Sequence, residues 1–193
     1  MKTSLLTTSL LIIAMSSVAQ VTGSFIDSRD STTYKTVIIG TQTWMAENLA
    51  YKTESGCWAY NDTISYVATY GYLYNWEATK DVCPIGWHLP SKDEWVTLIW
   101  FVGAETTSGL KLKAIKCWDG DKHATNKFGF TALPSGALAA NGKFFGKGNL
   151  CRWWTSTNFN TKYAVSYFID WETKISKENM LKEWGLSVRC IKD

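Results

Sequence analysis

Eleven tryptophans, nine tyrosines and eight phenylalanines in a chain of 193 residues constrain the fold more than any other feature of the sequence. Aromatic side chains bury about 150–250 Å² each, and the indole and phenol carry a polar handle that needs a partner once water is gone. Two uses of such a load compete. The rings can form the core of a fold with little regular structure, or they can be presented outward as a stacking surface. The first is expected for most of them.

The N-terminus has the three parts of a secretory signal. Lys2 supplies the positive charge, Leu5 to Met15 a short apolar run, and Ser17-Val18-Ala19 a small-x-small cleavage site before Gln20. The run is shorter than the roughly 20 apolar residues of a membrane-spanning helix. A signal peptide is therefore expected over 1–19, followed by one domain over 20–193, a length of 174 residues that suits a single core. The expected location is outside the cytoplasm: secreted, periplasmic or on the outer cell surface. Without Lys2, 19 basic residues face 17 acidic ones in a scattered pattern, which argues against the basic stripe that nucleic acid requires. No stretch of 20–193 is apolar enough to span a membrane.

Five cysteines fall in the exported part: Cys57, Cys83, Cys117, Cys151 and Cys190. An oxidising compartment favours disulfides. No CxxC pair occurs and there are two histidines, so a structural zinc site is not expected. The odd count leaves at least one thiol over.

Local patterns give an order of elements. Tyr34–Ile39 and Gln42–Met45 read as a hairpin turning at Gly40-Thr41. Tyr70–Ala78 reads as a short helix. Ser91-Lys92-Asp93-Glu94 is a capping box, with Trp95, Leu98, Ile99 and Val102 on one face of the helix it starts and Gly103 at its end. Residues 116–130 are a polar loop. Short β-type runs follow at 128–133, 143–145, 152–156, 164–169 and 186–191. Two helices with short antiparallel strands and long loops make an α+β fold.

The motifs resemble a known family. Gly23-x-Phe25-x-Asp27-x-Arg29-Asp30, Ile39-Gly40-x-Gln42-x-Trp44-Met45-Ala46-Glu47-Asn48-Leu49 and Tyr70-Gly71-x-Leu73-Tyr74-x-Trp76 come first. Cys83-Pro84-x-Gly86-Trp87-His88-Leu89-Pro90-Ser91, Gly129-Phe130-x-Ala132-Leu133-Pro134, Trp154-x-Ser156-Thr157 and Ser187-Val188-Arg189-Cys190 follow in the same order as in the Fibrobacter succinogenes major paralogous domain. That family is in turn similar to the C-type lectin-like and formylglycine-generating-enzyme fold. The resemblance implies a C-type lectin-like domain and a disulfide between Cys83 and Cys190. Cys57 lacks the partner that family members usually carry shortly after it. Cys117 and Cys151 stand where the family has no cysteine, and they are open to pairing with each other.

Chemistry is sparsely marked. The closely spaced cysteine pair of formylglycine-generating enzymes is absent near the C-terminus, and His88 reads as structural and His123 as solvated. No Ser-His-Asp set and no singled-out carboxylate pair emerges. The expectation is a non-catalytic binding or adhesion module, with an enzyme related to the formylglycine-generating oxidases as the alternative. The long loop carries Trp118, Asp119, Asp121 and Asn126. Its oxygens suit either a Ca²⁺ site of Asp119, Asp121 and Asn126 or a solvated Asp-Gly turn. Strand alternation places Trp153 opposite Trp154, and with Trp154 buried, Trp153 and Trp118 are the rings expected to face a ligand. The expected partner is a glycan or a cell-surface protein, met through this loop.

Overall fold

Along Tyr34–Ile39, Tyr34 is buried on one face of the strand and Val37 and Ile39 on the other, with Lys35 and Ile38 exposed, so both faces are partly covered. In the computed structural model, which describes residues 22–103, 106–120 and 123–193, this segment is the second strand of a mostly β molecule. The leader expected over 1–19 lies outside the described residues. So do Asp121 and Lys122 in the long loop.

Thirteen strands occur among the described residues. They are β1 (Thr22–Ile26), β2 (Thr33–Ile39), β3 (Gln42–Met45), β4 (Cys57–Trp58), β5 (Leu73–Tyr74), β6 (Trp87–His88) and β7 (Ser135–Leu138). The others are β8 (Phe144–Lys147), β9 (Cys151–Asn158), β10 (Tyr163–Ile169), β11 (Ser176–Leu181), β12 (Leu186–Ser187) and β13 (Ile191–Lys192). One sheet runs β1-β2-β3-β13-β6, all antiparallel. The other runs β11-β10-β9-β12-β5-β4 with the β7-β8 hairpin attached at β9, and curls into a half-barrel. It is mixed, since Ser187 and Gly136 each pair in parallel with β9. Among the described residues helix is limited to α1 (Val67–Tyr70), α2 (Lys92–Phe101), α3 (Ser108–Leu112) and three 3₁₀ turns. No described helix is long and apolar enough to cross a membrane.

Three sequence expectations hold. The β2-β3 hairpin turns between Ile39 and Gln42. The α2 capping box forms, with Glu94 N–H donating to Ser91 Oγ at 3.2 Å and Ser91 N–H to Glu94 Oε2 at 2.7 Å. The disulfide Cys83–Cys190 joins the approach to α2 to the end of the chain, with Cα atoms 5.9 Å apart.

The α+β, C-type lectin-like class is overturned. The helix expected over Tyr70–Ala78 does not form: α1 stops at Tyr70, where that helix was to begin. Gly71 takes φ 73°, and a Cβ there would sit 2.5 Å from the Leu49 carbonyl oxygen, so the chain packs on Asn48-Leu49 and turns extended. Leu73–Tyr74 then pairs with β4 on one side and β12 on the other. Backbone pairing on two sides outweighs a helical period only a few residues long.

Strand β9 lies between two cores. Trp154 belongs to one, with Tyr34, Met45, Leu49, Tyr74 and Val188, and Trp153 to the other, with Trp44, Trp95, Phe130, Tyr167 and Ile191. The second core is a ring cluster around Trp95, which meets Trp44 at 5.1 Å, Trp153 at 5.4 Å and Tyr167 at 5.2 Å. Both β9 tryptophans are 0% exposed. The expectation that Trp153 faces outward is therefore corrected: alternation does send it opposite Trp154, but both faces of this strand are covered.

Arg189 lies wholly inside. Its Cζ is 4.2 Å from the Phe130 ring centroid, and it donates to Asn48 Oδ1 (Nη2 at 2.9 Å, Nε at 3.3 Å), to the Thr131 carbonyl and to the Phe130 carbonyl. None of the described salt bridges includes it. Burial pulls its guanidinium down to about 9, so it stays a cation at neutral pH, held by oxygen dipoles and a ring face. Asn48 Oδ1 also accepts from Trp153 Nε1 at 2.9 Å, and Asn48 Nδ2 donates to the Tyr70 carbonyl at 3.0 Å.

Two stability outcomes follow from this interior. Asn48→Ala strands a buried cation and a buried indole N–H, and is expected to lower the unfolding free energy by about 4 kcal/mol in a denaturant titration. Replacing Cys83 and Cys190 by Ala opens a loop with a sequence separation of 107 residues. The loss expected from loop closure is about 4–5 kcal/mol, measured the same way against the oxidised protein.

Candidate functional site

The described residues of the long loop, 113–120 and 123–134, carry no regular strand or helix, but they are tied down. Asn126 fastens its far end: Oδ1 accepts from Thr131 N–H at 2.8 Å and Nδ2 donates to Thr131 Oγ1 at 3.0 Å. Thr125 N–H donates to the Leu110 carbonyl at 2.9 Å, tying the loop to α3. At the near end Trp118 is buried and gives its Nε1–H to the Ala132 carbonyl at 2.9 Å, and Asp119 N–H donates to the Gly148 carbonyl at 2.7 Å.

Between this loop, α3, the β8-β9 turn and the β10-β11 turn lies a cleft of about 290 Å³. Asp119, Gly120, His123, Asn149, Trp171 and Thr173 contribute to its wall, with Leu110, Lys113 and Trp118. The Lys113 ammonium lies 4.4 Å from the Trp118 ring centroid and donates to the Glu172 carbonyl at 3.3 Å, which ties the loop side to the Trp171 side. Gly148, at φ 96°, is the saddle on which Asp119 rests: a Cβ there would fall 2.2 Å from Asp119 Oδ2. Only glycine lets that carboxylate settle there.

The loop thus walls a cleft, but not with the set of residues expected. Asp119 lines the cleft. Trp118 is corrected from a ligand-facing ring to a buried one, because its indole closes the loop onto Ala132. Trp153 is far inside. Asn126 Oδ1 accepts from Thr131 N–H and braces the far end of the loop. Asp121 is outside the described residues, and among the described residues no group of three His, Cys, Asp or Glu could hold a metal. Cys117 and Cys151 do not pair. Cys151 is buried at the start of β9, where burial raises its pKa, while Cys117 is exposed in the loop. Cys57 is also a free thiol.

Trp171, Asn149 and Gly148 are absent from the sequence-derived set. Trp171 is 79% exposed, whereas nine of the eleven tryptophans are buried or half-buried. The available signal was a tryptophan inside a polar turn, Asp170-Trp171-Glu172-Thr173, between two β-type runs. The other exposed tryptophan, Trp100, lies on the outer side of α2, away from the cleft wall.

A second cleft of about 310 Å³ is lined by Trp76, Thr79, Lys80, His88, Leu89 and Ser156. Its size is no smaller, so chemistry decides between the two. Three of its polar side chains are engaged within the fold: Thr79 Oγ1 donates to the Trp76 carbonyl at 2.6 Å, Lys80 pairs with Glu77 at 2.5 Å, and His88 is bonded through both nitrogens. His88 bridges Asp193 Oδ1 (Nδ1, 2.6 Å) and Glu94 Oε1 (Nε2, 2.8 Å), so it joins the last strand to the cap of α2. The structural reading of His88 agrees with this geometry.

Residues 37–192 match the family model of the Fibrobacter succinogenes major domain. No curated protein and no solved structure matches the chain.

The His88 bridge has a pH signature. Burial opposes the charged ring, but the bonds to Asp193 and Glu94 outweigh it and raise the His88 pKa above its ordinary 6.5. A raised folded value means that the contribution is full below about 6.5 and fades as pH rises through the folded value. The stability difference between the unaltered protein and His88→Gln is therefore expected to shrink above pH 6.5 in denaturant midpoints taken across pH. A difference that stays constant would remove the charged bridge.

Proposed function

We propose that this chain, which belongs to the Fibrobacter succinogenes major domain family, is an exported, non-catalytic module that binds carbohydrate in the cleft between the 117–126 loop and the Trp171 turn. The observation that carries this reading is the position of Trp171. Its large apolar face stands in water at the mouth of a cleft whose wall includes Asp119, Asn149, His123 and Thr173. Its side chain takes part in no ring contact or hydrogen bond among the described residues, so the fold itself gives no use for the exposure. A sugar ring has an apolar C–H face and a rim of hydroxyls. An open indole with amide, carboxylate and hydroxyl groups beside it complements both.

Two further points support the reading. The frame around the cleft is prearranged: Asp119 rests on the Gly148 saddle and Lys113 braces the loop against Glu172. This lowers the ordering cost of binding. The non-catalytic part draws support from Cys190, which is tied to Cys83, and from His88, both of whose nitrogens are bonded to carboxylates. Export is inferred from the leader pattern of residues 1–19 and fits a disulfide-bearing product.

The test is a glycan array followed by titration of the strongest hit. The unaltered protein is expected to bind. Trp171→Ala should weaken binding about tenfold, ~1.4 kcal/mol, with little change in melting temperature because the residue is 79% exposed. Absence of binding to every arrayed glycan, or a Trp171→Ala variant that binds as well as the parent, would overturn the reading.

A further inference from the structure

We infer that the ligand is an oligosaccharide chain and not a single sugar, because the surface that starts at Trp171 continues past the Gly148 saddle onto a second aromatic platform, Tyr66 and Tyr70. This rests on the carbohydrate reading of the cleft and adds to it the length of the ligand.

Connectivity places the platform. Asp119 lines the cleft and lies against Gly148, and Lys147, the last residue of β8, immediately precedes Gly148. The Lys147 ammonium sits 4.7 Å from the Tyr66 ring centroid and 5.7 Å from that of Tyr70. The two phenol rings meet edge-on, 6.1 Å apart at 76°. The Tyr70 phenol lies within electrostatic reach of Cys117 and Asp119 at the near end of the loop, and burial raises its pKa. The surface therefore reads Trp171, then Asp119 on Gly148, then Lys147, then Tyr70 and Tyr66.

Both tyrosines are half-buried, and both are held in place. The Tyr70 carbonyl accepts from Asn48 Nδ2 at 3.0 Å, which links the platform to the buried polar centre. Tyr66 rests edge-on against Tyr60 at 6.4 Å, and Tyr60 against Phe144 at 5.3 Å. The lysine ammonium between the two rings restricts them further. Rings fixed in advance bind without an ordering cost. A chain of repeating sugars offers the same C–H face again a few units along. Two fixed platforms with polar groups between them can read that repeat twice, and the second contact gains from being intramolecular. A monosaccharide at Trp171 leaves Tyr66 and Tyr70 unused.

The experiment is calorimetry of the full exported chain against cello-, xylo- and malto-oligosaccharides from monomer to hexamer. Affinity electrophoresis in the parent polysaccharides accompanies it. Affinity for one series is expected to rise with chain length and then level off. Tyr66→Ala and Tyr70→Ala should weaken the hexamer about tenfold and leave the shortest ligand that binds unchanged, while Trp171→Ala weakens both. Tyr70→Phe keeps the ring and should keep the affinity. An affinity independent of length in the unaltered protein overturns the extended site and leaves the carbohydrate reading standing, and this arm needs no variant to fold. Failure of the unaltered protein to bind any of these ligands or any arrayed glycan overturns both.

Discussion

One amide oxygen, Asn48 Oδ1, accepts from the Trp153 indole and from two nitrogens of the Arg189 guanidinium, and the interior is arranged around that sharing. A fully buried arginine without a carboxylate would be untenable if its donors were left bare. Here the Phe130 and Thr131 carbonyls take the rest, and the Phe130 ring covers its face. Through this centre the segment after β3 is joined to β9, to the last part of the chain and, by the other Asn48 atom, to the end of α1. Elements far apart in sequence are thus fixed to one another by a single side chain. The two cores can then pack on opposite sides of β9 without sliding.

What could be read from the sequence was local or borrowed. The β2-β3 hairpin and the Ser91 cap depend on a few neighbouring residues, and both appear as expected. The Cys83–Cys190 bridge came from family resemblance and not from spacing. The same resemblance also carried a fold class that the sheets contradict. Tyr70–Ala78 was misread because Gly71 stops the helix by packing on Leu49, a residue distant in sequence. Trp153 was misread because alternation tells which side a residue faces, not whether that side is covered.

The site shows the same division. Polar residues in a long loop drew attention to a region that borders a cleft, and Asp119 lines that cleft. Trp118 was indistinguishable in sequence from an exposed ring, yet its indole N–H closes the loop onto Ala132. Asn126 looked like a metal ligand because an Asn that braces a turn uses the same oxygen. Trp171 belongs to a different loop, brought to the cleft by the β10-β11 turn, and no local pattern announces that meeting.

The disulfide has a consequence beyond its effect on folding. Every loop that walls the cleft, from Asp119 and His123 through Asn149 to Trp171 and Thr173, lies between Cys83 and Cys190 in the chain. These loops therefore sit inside a covalent ring. A peptidase that cuts one of them once opens the ring but releases no fragment, since both halves remain joined through sulfur. The buried strands and the Asn48–Arg189 centre still hold the nicked halves in register. A chain closed in this way can lose a peptide bond in one of these loops and keep the walls of the cleft assembled.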